Sequence, residues 1–77
     1  MMHKVYGLGE DGAREFRLPS SKRIDFLDIK NNIIYEVKPN NARAIRAGLK
    51  QLDIYMKELQ TMERFQGISW NTVLETY

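Results

Sequence analysis

The sequence predicts a small mixed α/β domain, an α+β arrangement with elements in the order βββαβ. Three observations predict it. Three short runs rich in β-branched and aromatic residues are separated by Pro, Ser and Asn turns. One long stretch then repeats apolar residues at helical spacing. A final run around Trp70 to Tyr77 returns to strand composition.

Residues 1–12 precede the first strand and read as a flexible N-terminal segment, with 13–77 as a single domain. Gly7, Gly9 and Gly12 beside Glu10-Asp11 have loop composition. Their spacing matches a dinucleotide fingerprint, but no useful strand precedes them and no helix follows, so that reading is set aside. His3 reads as an exposed terminal residue rather than a metal ligand. Ala13 to Leu18 alternates polar and apolar and predicts the first strand. Pro19-Ser20-Ser21 is its turn, because proline cannot donate to a ladder.

Arg23 to Ile29 and Ile33 to Lys38 then predict a β-hairpin, and the three strands make an antiparallel meander. Residues i and i+2 of a strand share a face, so Glu36 and Lys38 point together and Val37 points away with Tyr35. A two-residue loop brings Asp25 onto the Glu36/Lys38 face, whether the loop is Lys30-Asn31 or Asn31-Asn32. The first puts Asp25 opposite Glu36, the second opposite Lys38. Asn31-Asn32 has the better turn chemistry, since a type I′ turn needs two positive φ angles. A three-residue loop would bring Asp28 there instead. Asp25 is therefore the acid expected on this face.

Two carboxylates and an ammonium on one face have two readings. One is a solvated cross-strand ladder of ion pairs. The other is a site for Mg²⁺, which takes oxygen ligands and keeps several waters. Lys38 would then position a water or neutralise developing negative charge.

Pro39 stops the third strand, and Asn40 or Asn41 is a good helix N-cap. The helix is expected from about Asn41 to about Arg64. Ile45, Leu49, Leu52, Met56 and Leu59 form its apolar stripe, aimed at the sheet. Gly48 lies on the edge of that stripe, where it allows close packing on a strand. Gln51 and Tyr55 share a face on the Gly48 side. They read either as solvated and boundary-core residues or as side chains reaching the carboxylates. Arg43, Arg46, Lys50 and Lys57 lie opposite. Arg43 and Arg46 stand in the first turns, near the positive helix N-terminus, which suits phosphate contact. Gly67 follows the helix, and Ile68 to Tyr77 reads as a last strand, able to lie parallel beside an earlier one.

The ordered set Asp25…Glu36-x-Lys38 with Gln51-x-x-x-Tyr55 resembles the PD-(D/E)xK, restriction-endonuclease-like nuclease superfamily. Gln51 to Tyr55 is similar to the motif on the helix after the Glu-x-Lys strand in RecB-like branches. Arg23-Ile24-Asp25 resembles the context of the acidic strand there. Ile33 to Asn41 looks most like nuclease domains of bacterial polymorphic toxins, and the resemblance covers about Arg14 to Tyr77. It implies a Mg²⁺- or Mn²⁺-dependent endonuclease cutting DNA rather than RNA. Asp25 and Glu36 would hold metal, Lys38, Gln51 and Tyr55 would complete the catalytic set, and Arg23, Arg43 and Arg46 would bind nucleic acid. It also implies an immunity protein as partner and action in the cytoplasm of a target cell, after delivery as part of a toxin. The superfamily core adds a first helix that often carries one more acid. No helical pattern precedes the first strand here, so that helix is expected to be missing and its role is not placed on Glu10 or Glu15. Other functional readings are a non-catalytic module binding nucleic acid or protein, and a homodimeric endonuclease resembling Holliday-junction resolvases.

Composition narrows the classes. Seventy-seven residues make one domain near the low end for independent folding. The chain has no cysteine, so disulfides and thiolate zinc sites are excluded. Either the core packs well or a partner or second copy completes it. The net charge of +2 is a mild bias toward polyanions. No apolar stretch is long enough to span a membrane or to act as a signal peptide, so a soluble, cytosolic site of action is expected.

Overall fold

The computed structural model describes residues 12–77. The expectations for the first eleven residues, including His3, Glu10 and the missing family helix, lie outside the described residues. Strands β1 (Gly12–Arg17), β2 (Arg23–Asp28) and β3 (Ile33–Lys38) are followed by helix α1 (Ala42–Leu59) and strand β4 (Asn71–Thr76). The sheet order is β1-β2-β3-β4. The first three strands are antiparallel and β4 runs parallel to β3. The expected βββαβ order is the observed one. β3, which carries Glu36 and Lys38, is therefore an interior strand paired on both edges.

The β1–β2 turn is where Pro19 placed it, closed by Ser21 N–H to Leu18 O at 2.8 Å and Leu18 N–H to Lys22 O at 2.8 Å. Glu58 near the end of α1 accepts from Ser20 N at 2.7 Å and Ser20 Oγ at 2.8 Å. That pair of bonds ties the turn to the helix.

The hairpin loop differs from the preferred Asn31-Asn32 turn. The ladder stops at Asp28↔Ile33, leaving four residues, Ile29 to Asn32, in the loop. Asp28 is the reason. Its carboxylate accepts from Asn31 N and Asn31 Nδ2, both at 3.0 Å, and closes a wider turn in the manner of an Asx motif. Only Asn32 takes a left-handed φ, of 60°. Phe26↔Tyr35 pairing is nonetheless the register of the Lys30-Asn31 alternative, with Asp25 falling level with Glu36.

Asn41 caps α1 as expected, its side chain accepting from Ala44 N at 2.8 Å. The helix ends at Leu59, five residues before the expected Arg64. Thr61 and Met62 bond back three residues, to Glu58 O and Leu59 O, and Thr61 Oγ1 adds a bond to Glu58 O. This tightening and the short 3₁₀ turn at Glu63–Phe65 swing Phe65 into the core. Phe65 meets Trp70 edge-on at 5.4 Å between centroids and Phe16 at 6.0 Å. Continuing as helix would have carried it away from that cluster. Gly67, at φ 84°, then reverses the chain. β4 starts at Asn71 rather than Ile68, because Ile68 and Trp70 pack on the core before the strand begins.

The buried side of α1 is Gly48, Leu52, Tyr55 and Leu59. This corrects the expected stripe. Leu49 is 54% exposed, and Gly48 sits at the middle of the contact rather than its edge. The glycine lets the helix come down on its own side of the stripe, rolling Leu49 out and Tyr55 in. A Cβ at Gly48 would stand 2.6 Å from Leu74 Cδ1.

Candidate active site

Two irregularities in neighbouring strands shape the site. Ile24 and Leu27 of β2 are both fully buried although three residues apart, so the inward alternation slips once between them. The partner strand slips at the same level. β1 pairs Arg14↔Phe26 and Phe16↔Ile24 but skips Glu15↔Asp25, and Glu15 takes φ 50°, unusual for a strand residue with a side chain. Asp25 occupies the break.

On its other side, the β2–β3 ladder ends at Phe26↔Tyr35. Beyond it, Asp25 Oδ2 accepts the Val37 backbone N–H at 2.8 Å. A carboxylate thus takes the place of the missing ladder acceptor. That bond fixes an exposed acid against the strand that carries Glu36.

Glu36 is 4% exposed, the one charged residue in the core among those described. It points with Ile34 toward α1, as strand alternation requires. Its Oε2 lies 3.4 Å from Lys38 Nζ, and its Oε1 is buried with no hydrogen-bond donor. Burial pushes the Glu36 carboxyl above its ordinary value, and the Asp25 charge pushes the same way. The Lys38 ammonium opposes both. Asp25 raises Glu36 both through its charge and as a neighbouring hydrogen-bonding carboxyl. The solvated ladder of ion pairs, the alternative reading, does not describe a carboxylate this deeply buried.

Tyr55 is in the core, and its hydroxyl is harder to ionise than usual because of burial first, then Glu36, then Asp25. Its ring packs in the core, and its hydroxyl lies near enough to the acids to feel their charge. Gln51 is half-buried, and its Oε1 is a second buried acceptor without a donor. A solvated Gln51 is thus not what is seen.

The basic residues are less drawn together. Arg43 and Arg46 are exposed on the first turns of α1. Arg23 Nη1 pairs with Glu15 Oε1 at 3.4 Å, both well exposed. Lys57 pairs with Asp53 at 3.0 Å within the helix. The feature missed by sequence reasoning is the β-strand break at Glu15 and Asp25. Nothing local in Arg14-Glu15-Phe16 signals a left-handed residue.

Among the described residues no group of three or more His, Cys, Asp or Glu side chains is arranged around a common metal position. Two carboxylates do converge, and one of them keeps a buried oxygen that no donor satisfies. A divalent cation suits that oxygen, since it neutralises the repulsion that raises Glu36, and Mg²⁺ accepts two protein carboxylates with waters filling the other positions. The residues therefore fit such an ion.

No helix among the described residues is long and apolar enough to cross a membrane. No curated protein and no solved structure matches the chain. A family described as restriction endonuclease fold toxin 9 matches residues 1–77. The βββαβ arrangement of the described residues, with the long helix α1, is a minimal restriction-endonuclease-like core, and the chain belongs to that restriction endonuclease fold toxin family.

Proposed function

We propose that the chain, folded as one domain over 13–77, is a Mg²⁺- or Mn²⁺-dependent endonuclease acting on DNA. One observation carries the reading. Glu36 is buried between a second acid and an ammonium, with one oxygen left without a donor. A structural salt bridge gains nothing from that arrangement, because a buried carboxylate with an unmet oxygen is costly.

Asp25 and Glu36 would hold the ion, which when bound supplies phosphate polarisation and a more acidic water. Val37 N–H holds the Asp25 carboxylate in place without neutralising it. Lys38 places a positive charge beside the acids, where it stabilises the negative charge that develops on the phosphate. The Gln51 Oε1 acceptor would orient a water proton, and the Tyr55 hydroxyl, harder to ionise beside the two acids, would serve as a donor to the site. Arg43 and Arg46 contact flanking phosphates from the helix N-terminus, and Arg23 joins them when it leaves Glu15. As a member of a toxin family, the protein would act inside a target cell and be neutralised by an immunity protein.

A plasmid-nicking assay with Mg²⁺ or Mn²⁺ tests this. Lys38→Ala and Asp25→Asn are expected to slow cleavage by about 10²-fold or more, the scale of losing a preorganised charge at a reacting phosphate. Chelator should abolish it. If wild type and Lys38→Ala leave DNA and RNA equally intact, the reading fails. Binding that persists with chelator and gives no product would mark a non-catalytic module instead.

A further inference from the structure

We propose that Gly48 is a positioning residue for Lys38, and that its missing side chain sets where the ammonium sits. Gly48 lies on α1, and Lys38 ends β3, ten residues earlier in the chain. A Cβ built on Gly48 would stand 2.9 Å from Lys38 Cγ as well as 2.6 Å from Leu74 Cδ1. Both distances are shorter than real Cβ contacts allow. The glycine backbone therefore bears directly on the middle of the lysine stem.

The location matters as much as the distance. Leu74 is the β4 partner of Glu36 in the parallel ladder, and Lys38 pairs two residues further along with Thr76. Gly48 thus meets the sheet over the stretch of ladder that carries the acid and the amine. Lysine has a flexible four-carbon stem, and its charge is only as well placed as that stem is confined. Exposed lysines such as Lys50, two residues further along α1, have no such wall. The Lys38 side chain is 25% exposed, and its Nζ rests 3.4 Å from Glu36 Oε2. With Gly48 pressed on Cγ, the stem is directed along the sheet toward Glu36 rather than outward.

The kinetic consequence rests on the nuclease reading; the packing claim does not. Gly48→Ala alone strains two neighbours, so it is paired with Leu74→Ala, which removes the Leu74 clash and keeps the one on Lys38. In plasmid cleavage, the double variant is expected to fold and melt near Leu74→Ala. Its kcat should stay about tenfold or more below that of Leu74→Ala, with KM unchanged, as for a displaced catalytic group. Cleavage equal to Leu74→Ala would overturn the proposal. NMR on labelled wild type gives a readout independent of cleavage and of any variant's folding. Lys38 γ-protons should show a nuclear Overhauser effect to Gly48 Hα, and the Lys38 side chain should relax as a more rigid group than Lys50. A Lys38 stem as mobile as that of Lys50 would overturn it as well. Should wild type cut nothing, the nuclease reading falls while these signals still decide the role of Gly48.

Discussion

The two halves of α1 lie on one sheet but over different ground. From Leu52 to Leu59 the helix buries Leu52, Tyr55 and Leu59 in the main apolar cluster. That cluster continues through Phe65, Trp70 and Phe16, whose rings meet at 5.4 and 6.0 Å. From Ala42 to Gln51 only Gly48 is buried, Leu49 is turned out, and the helix faces the Glu36–Lys38 pair instead. The aromatic end holds one buried polar atom without a partner, Trp70 Nε1, at the edge of an apolar cluster; the acidic end holds two acceptors, Glu36 Oε1 and Gln51 Oε1, beside charged groups. Domains optimised for stability satisfy such groups, and local violations concentrate where a ligand is meant to supply what is missing. Tyr55 joins the halves, its ring in the apolar cluster and its hydroxyl under the influence of both acids. In a chain of 77 residues, the aromatic end must carry the stability that the acidic end gives up.

The largest effect expected from this contrast is at the aromatic end. Phe65→Ala should cost about 3–5 kcal/mol, the usual loss for a buried aromatic, measured as a fall in the urea midpoint. This is a large part of the stability of a small domain. A loss under about 1 kcal/mol would show that the aromatic cluster is not what holds the sheet and helix together.

The acidic end should respond with the opposite sign. Glu36→Gln is expected to raise stability at neutral pH by about 1 kcal/mol, because a buried acid with an unmet oxygen is replaced by a neutral amide. It should at the same time remove cleavage. The pH dependence follows from the raised pKa of Glu36. Folding penalises its ionised form, so wild-type stability is highest below the unfolded carboxyl pKa and is lost as pH rises through the folded one. The gap between Glu36→Gln and wild type should therefore open with rising pH and close in acid. A gap of the reverse sign, with wild type the more stable at neutral pH, would make Glu36 a structural ion pair and erase the contrast.

The smallest effect is at Leu49. It is 54% exposed, so Leu49→Gln should change stability by no more than about 0.5 kcal/mol in a denaturant melt. Leu52→Gln in the same experiment should be far more damaging, which sharpens the boundary between the two halves.

Much of the fold was legible because its signals are local. Pro39 ends β3, Asn41 caps α1, and the two-residue period of a strand puts Glu36 and Lys38 together without reference to anything distant. The hairpin parity that brings Asp25 level with Glu36 was also readable, although Asp28 closed a wider loop than Asn31-Asn32 suggested. The sequence predicts a helix five residues too long because nothing in Thr61 to Arg64 opposes helix; the need to bury Phe65 is a tertiary demand. The apolar spacing predicts Leu49 in the core because periodicity fixes spacing along a helix, but the roll about its axis is set by what the helix lands on.

By itself, then, the chain's order of residues determined which elements form, in what succession, and which side chains share a strand face. Short-range sterics and hydrogen bonding suffice for those. The tertiary structure alone decided that Asp25 leaves its ladder to take the Val37 amide, that Glu36 loses its solvent, and that Gly48 brings α1 against Lys38. Each of these is a contact between segments distant in the chain. Its energy comes from burial and close approach, which no residue carries until the sheet and helix have met.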